Sequence, residues 1–194
     1  MKKNMINLIL NDIKYNKGKN TNYLIEWGII DIQNVTNEIL KLEDGYSICL
    51  FAGYVDAAPI DSLADVIIET KMGYYIYLFA KMIQHKDAPM DKLTDAIIET
   101  NDLWYMRIFA RDVVSASIEK IAKAIIYSGD AQYIRDIALI YKERDIPVDG
   151  FFEILKKAPI EKEVISVHSE KGKKYLRLRE KLKSNRWQCL LSIF

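Results

Sequence analysis

Turn-forming residues are scarce in this chain. Its 194 residues include four Pro and eight Gly, too little punctuation for an all-β protein, whose short strands need turn residues at close intervals. There are two cysteines, Cys49 and Cys189. They lie far apart in the sequence and offer neither a disulfide framework nor a zinc-ligand spacing, which predicts free thiols in a reducing compartment. Apolar runs are short as well. Lys2 and Lys3 imitate the basic start of an export signal, but Asn7 breaks the run Met5, Ile6, Leu8, Ile9, Leu10, and Asn11 and Asp12 stop it. A signal core needs about 7–15 apolar residues, and a membrane span about 20. The expectation is a cytoplasmic protein with no membrane association.

Catalytic equipment is equally thin. The two histidines, His85 and His168, fall in polar segments. His85-Lys86-Asp87 pairs a base with a carboxylate, yet it lies between apolar repeats and reads as a solvated loop. No glycine-rich phosphate loop, His-Glu-x-x-His helix or nucleophile elbow is present, and neither thiol has a neighbouring His. The expectation is a non-enzyme with no cofactor and no bound metal.

What the chain does contain is a repeat. Pro59 to Ala80 reads PIDSLADVIIETKMGYYIYLFA, and thirty residues later Pro89 to Ala110 reads PMDKLTDAIIETNDLWYMRIFA. Ser117 to Ala138 (SIEKIAKAIIYSGDAQYIRDIA) and Val35 to Ala52 (VTNEILKLEDGYSICLFA) are further copies. Pro147 to Leu155 (PVDGFFEIL) is half of one more. Tyr23 to Gly28 (YLIEWG) aligns with YIYLFA, placing Trp27 at the Phe79 slot and Gly28 at the Ala80 slot.

Each copy decodes as two short helices. Ile60, Leu63, Val66 and Ile67, matched by Met90, Leu93, Ala96 and Ile97, fall on one face of a first helix. A polar break follows. Asp44, Asp102 and Asp130 then open the second helix as N-caps, while the copy with Met72 lacks that cap. Tyr75, Ile76, Phe79 and Ala80 recur as Tyr105, Met106, Phe109 and Ala110, then as Tyr133, Ile134, Ile137 and Ala138. The constant small residue predicts a close helix crossing. A pair of ten-residue helices cannot bury its apolar face alone, so the pairs must stack.

The predicted fold is therefore all-α: an α-solenoid of stacked antiparallel helix hairpins, about five and a half repeats long, with a basic C-terminal capping helix. One domain, 1–194, is expected. Its repeats run approximately 4–31, 32–57, 58–87, 88–115, 116–144 and 146–169, with a basic and apolar segment at 170–194. The layout resembles short α-solenoids of the broad HEAT-like kind. The unit is shorter than HEAT (about 40–47 residues), tetratricopeptide (about 34) or ankyrin (about 33) repeats, and it lacks the ankyrin T-P-L-H-x-A string. No family's functional residues carry over.

Slots that vary between otherwise matching copies are the candidates for function. The slot before the repeated tyrosine holds Tyr46, Tyr74, Trp104 and Gln132. The slot two residues after it holds Cys49, Tyr77, Arg107 and Arg135. Stacking would bring Tyr74, Tyr77, Trp104, Arg107 and Arg135 into one partner-binding surface of the aromatic and arginine type that dominates binding hot spots. The competing reading is that these side chains complete the packing between repeats. Asp65 with Glu69, and Asp95 with Glu99, place carboxylates one turn apart on successive copies. Lys123 replaces the first of them in the next copy, so the pattern reads as a solvent face.

Charge is uneven. The net charge is +1, yet Lys156 to Arg186 carries eleven Lys or Arg against four Glu, so the rest of the chain is acidic. Lys171, Lys173, Lys174, Arg177, Arg179, Lys181 and Lys183 form a basic stripe that either caps the solenoid or touches nucleic-acid phosphates. Trp187 to Phe194 is strongly apolar and suits folding back or a homo-oligomer contact. The preferred function is a non-catalytic protein-binding module of adaptor, inhibitor or immunity type, with nucleic-acid binding as the alternative.

Overall fold

The computed structural model describes residues 3–86, 88–147 and 149–157, together with Lys173 and Arg177. Among the described residues the secondary structure is all helical, with no strand. The helices come in pairs at the spacing of the repeat. They are α1 (Lys3–Asn16) with α2 (Lys19–Glu26), α3 (Ile32–Leu40) with α4 (Gly45–Tyr54), and α5 (Ile60–Glu69) with α6 (Gly73–Ile83). The series continues with α7 (Met90–Glu99) and α8 (Leu103–Asp112), α9 (Ile118–Ser128) and α10 (Ala131–Glu143), and α11 (Asp149–Lys157).

One backbone device joins the two helices of a pair. Glu43, Lys71, Asn101 and Gly129 occupy one repeat slot, and all four adopt the left-handed conformation, with φ of 52°, 54°, 54° and 69°. Only Gly129 does so without a Cβ penalty. Just before this residue, the Thr70, Thr100 and Ser128 hydroxyls donate to the carbonyls of Ile67, Ile97 and Ile125 at 2.6, 2.7 and 2.7 Å. Just after it comes the cap. Asp44 accepts from the Tyr46 and Ser47 N–H groups, Asp102 from Tyr105 N–H and Asp130 from Gln132 N–H. Met72 offers no such side-chain bond at the start of α6, as its apolar side chain requires.

The chain divides into two compact units. The described residues up to Thr100, with Asp112–Ser115, make the first; Asn101–Arg111 and the described residues from Ala116 onward make the second. Within the first unit α1 packs on α2, α3 and α4, α4 on α5 and α6, and α7 on α5 and α6. Within the second, α9 packs on α10 and α11.

The recurring slots meet recurring environments. Phe51, Phe79 and Phe109 are fully buried, as are Ala52, Ala80 and Ala110; Ile137 and Ala138 follow suit. Tyr75, Tyr105 and Tyr133 are all half-buried. A second small-residue slot, which the sequence reading does not single out, lies on the first helices: Thr36, Ala64, Thr94 and Ala122 are all buried. Glycine builds one close approach, that of α4 to α6. A Cβ on Gly45 would sit 2.7 Å from the Tyr75 ring, and one on Gly53 would sit 2.5 Å from Met82 Cε, so α4 and α6 approach backbone to side chain.

The first hairpin departs from the expected register. Trp27 is 71% exposed where Phe79 is fully buried. Gly28 is exposed, has φ +67°, and has nothing within 4 Å of a built Cβ. α2 ends at Glu26 with Trp27 as its C-cap, so Trp27 and the left-handed Gly28 form the exit of the helix rather than its packed stripe.

Candidate functional site

Tyr74 and Tyr77 belong to the first unit, on α6. Trp104, Arg107 and Arg135 belong to the second, on α8 and α10. The two variable slots behave differently. Tyr46, Tyr74, Trp104 and Gln132 are exposed in every copy, because they sit in the first turn of the second helix, pointing away from the packed stripe. Cys49 is buried, and Tyr77, Arg107 and Arg135 are half-buried.

The half-buried slot ties neighbouring repeats together. Tyr77 Oη donates to Asp112 Oδ2 at 2.6 Å, and Lys81 Nζ reaches Tyr77 Oη at 3.0 Å and Asp112 Oδ2 at 3.3 Å. Burial, followed by the hydrogen bond to the Asp112 carboxylate, pushes the Tyr77 phenol above its ordinary range. Its bond to Tyr77, then that to Asp112, raises the Lys81 ammonium. One repeat on, Arg107 Nε lies 3.7 Å from Asp136 Oδ2, an ion pair beyond hydrogen-bond range. Cys49 occupies the slot without charge: its Sγ donates to Tyr75 O at 3.6 Å. Burial, aided by the Asp44 charge, pushes its thiol up to about 12, where it carries no nucleophilic thiolate.

The exposed slot is different in kind. The Arg107 guanidinium lies 4.4 Å from the Trp104 ring centroid, a cation–π contact. Trp104 is 53% exposed. Asp136, which holds Arg107, is itself fixed by Gln132 Nε2 at 3.0 Å. A large aromatic surface is thereby presented with its rotamer constrained on one side by an arginine whose own position is set. Tyr46 and Tyr74 are the corresponding exposed rings of the first unit, 41% and 39% exposed, and Tyr74 leans on Tyr75 at a centroid distance of 5.2 Å. Sequence reasoning names the aromatic and arginine members. It misses Asp112, Lys81 and Asp136, which no repeat slot singles out.

Other candidates resolve plainly. Asp65, Glu69, Asp95 and Glu99 are all exposed, and Asp65 pairs with Lys92 between successive first helices. Among the described residues, no group of three or more His, Cys, Asp and Glu side chains gathers as a metal cage. His85 is exposed in the turn after α6. Its neighbour Lys86 turns inward and donates to Ala52 O and Val55 O, each at 2.7 Å, closing the last turn of α4. In the basic stripe, Lys173 and Arg177 are helical and exposed. Lys171, Lys174, Arg179, Lys181 and Lys183 lie outside the described residues, as do His168, Cys189 and the apolar segment from Trp187 to Phe194. Among the described residues no helix is long and apolar enough to cross a membrane.

A concave feature lies elsewhere, between α1 and α2. The cleft has a volume of about 350 Å³ and is walled by Leu8, Tyr15 and Leu24, with Asn11 and Asn20 at its polar edge. Asp12 anchors it. That carboxylate is only 8% exposed and accepts from Thr21 N–H (2.8 Å), Thr21 Oγ1 (2.8 Å) and Asn20 Nδ2 (2.7 Å). Burial acts to raise the Asp12 carboxyl, but these bonds, with one from Asn16, outweigh it and hold the group below its ordinary value.

Compared with protein-family models, with curated proteins and with solved structures, the chain matches none.

Proposed function

We propose that this chain is a non-catalytic, cytoplasmic protein-binding module whose hairpins form a short HEAT-like α-solenoid, an adaptor, inhibitor or immunity-type protein. Its working surface is centred on Trp104, in the exposed slot at the first turn of α8. The observation that carries the reading is Trp104, half exposed and backed by Arg107, which Asp136 holds. An aromatic ring ordered before binding forfeits little side-chain entropy when a partner covers it, and Trp and Arg lead the residues whose truncation weakens interfaces. Tyr77 contributes through packing: its hydroxyl is committed to Asp112. Repeat proteins place function at substituted positions on a constant scaffold, as the varied Tyr, Trp and Gln of this slot do against the constant Phe and Ala beneath.

Affinity capture from the native cell with wild type and with a Trp104→Ala, Arg107→Ala double variant tests the proposal. Loss of one partner or a small set of partners supports it, and equal capture of every partner sinks it. A salt titration against random duplex DNA separates it from nucleic-acid binding through Lys173, Arg177 and the surrounding basic residues.

A further inference from the structure

Arg107 is a charged group with its hydrogen bonds unfilled. Its Nε is buried, and Asp136 Oδ2, at 3.7 Å, is too distant to accept a hydrogen bond from it. Asp136 Oδ1 is occupied in turn, accepting from Gln132 Nε2 at 3.0 Å. The Nη groups of Arg107 make no hydrogen bond to a described residue, and with the side chain 18% exposed they stay within reach of solvent. The guanidinium is nonetheless held against the Trp104 ring, 4.4 Å from its centroid. An ordered arginine with unfilled donors beside an exposed ring is prepared to fork onto a planar acceptor.

We propose that the surface around Trp104 takes an acidic segment of a partner protein. An aliphatic or aromatic side chain covers the Trp104 ring, and a neighbouring Asp or Glu carboxylate pairs with the Arg107 Nη groups. This rests on the protein-binding reading above and names the chemistry of the partner. The face of α8 is graded to match. Trp104, Arg107 and Arg111 stand at i, i+3 and i+7 and so share one face; Trp104 and Arg111 are exposed. Arg144 Nη2 donates to Arg111 O at 2.9 Å, which brings a third cation to the end of the helix. The segment lays its apolar residue at the start of α8 and its acid toward the end.

The carboxylates of the same surface select among anions. Asp102 and Asp130 cap α8 and α10 just before Trp104 and Gln132, and Asp136 lies beside Arg107. A nucleic-acid strand stacking a base on Trp104 would carry phosphates on both sides of that base, toward these carboxylates. A phosphopeptide would set a more highly charged group beside Asp136. A single carboxylate is repelled least, and at Arg107 it meets the donors that Asp136 leaves unfilled.

The test is selection from a displayed library of random peptides against the full chain, followed by a double-mutant cycle across the interface. The expected winners carry Asp or Glu beside an aliphatic or aromatic residue. Affinity for such a peptide should fall about tenfold or more in Arg107→Met, which keeps the stem against Trp104 but removes the donors. The same peptide with its acid replaced by the amide should bind wild type correspondingly more weakly and be indifferent to Arg107→Met. An arginine that only props the Trp104 ring would weaken both peptides by one factor, and that result would overturn the proposal. So would winners without acids, no winners, or tighter binding of a phosphoserine peptide or a single-stranded oligonucleotide through Trp104. A concentration-dependent dimer that Trp104→Ala abolishes would do the same. Should Arg107→Met fail to fold, the amide peptide on wild type carries the test, and undiminished affinity overturns the proposal. Peptides that need Trp104 but no acid sink this inference and leave the function proposed above standing. Equal native capture by the Trp104→Ala, Arg107→Ala double variant sinks that function itself.

Discussion

Arg107 rests its guanidinium 4.4 Å from the centre of the Trp104 ring while its Nε lies 3.7 Å from Oδ2 of Asp136. One side chain thus serves two neighbours, stiffening an exposed ring on one side and joining α8 to α10 on the other. Asp136→Ala should leave the half-buried guanidinium without its counter-charge and cost about 1 kcal/mol, with a coupling to Arg107→Ala of about 0.5–1.5 kcal/mol in a double-mutant cycle. Urea midpoints of the four proteins measure it. Strict additivity would mean that the pair is incidental.

Met72→Asp should stabilise the protein. Met72 precedes α6 with φ −98° and ψ 111°, close to the −102° and 101° of Asp44, yet provides no side-chain cap. It is 50% exposed, so little packing is lost. A gain of about 0.5–2 kcal/mol is expected, read as a rise in thermal midpoint. The mirror experiment, Asp102→Ala, should lose a similar amount.

Gly45→Ala should destabilise even though alanine is the better helix former. The added methyl would lie 2.7 Å from the Tyr75 ring, and overpacking of this kind costs about 1–3 kcal/mol. Pairing it with Tyr75→Leu should restore part of the loss. Chemical denaturation of the three variants checks the crossing directly; no loss in the single variant would refute it.

Lys86→Met keeps the aliphatic stem but removes two hydrogen bonds to the last turn of α4. The expected cost is about 1–3 kcal/mol. Amide exchange should rise at the end of α4 in particular, since the freed carbonyls belong to that turn. Unchanged protection there would show the ammonium to be dispensable.

Acid should open the first hairpin through Asp12. Its carboxyl titrates below the ordinary value, about 4, in the folded chain. The unfolded chain therefore binds the extra proton first. The stabilisation is complete above about pH 4 and is lost as pH falls through the lower folded value. Asp12→Asn should be less stable at neutral pH and show a flatter loss as pH falls below about 4. Melting followed through Tyr and Trp fluorescence distinguishes the two profiles.

Much of the helical layout was legible because it repeats. Phe79, Phe109 and Ala80, Ala110 could be matched by eye, and a slot that stays apolar or small in each copy is under one packing constraint in each. The aspartate caps were equally visible, since a carboxylate at a helix start does its work within three residues of itself. The Tyr23 to Gly28 string misled for the same reason it attracted notice. Six residues of resemblance do not reveal that α2 ends at Glu26, where backbone geometry takes over.

The candidate site was only half legible. Tyr74, Trp104 and Arg107 stood out because they vary where their neighbours do not. Asp112 and Asp136 did not, because a residue that closes an ion pair between helices about thirty positions apart carries no local mark.

The sequence by itself determined that this protein is helical, where most of its helices begin, and which slots are buried, since those are properties of periodicity and of neighbours a few residues away. Tertiary structure alone decided that Gly45 meets Tyr75, that Tyr77 is committed inward while Trp104 is left outward, and that α1 keeps an apolar stripe in the open. Those outcomes depend on which helix lies beside which, and contacts between residues distant along the chain are chosen by packing in three dimensions rather than by any pattern along it.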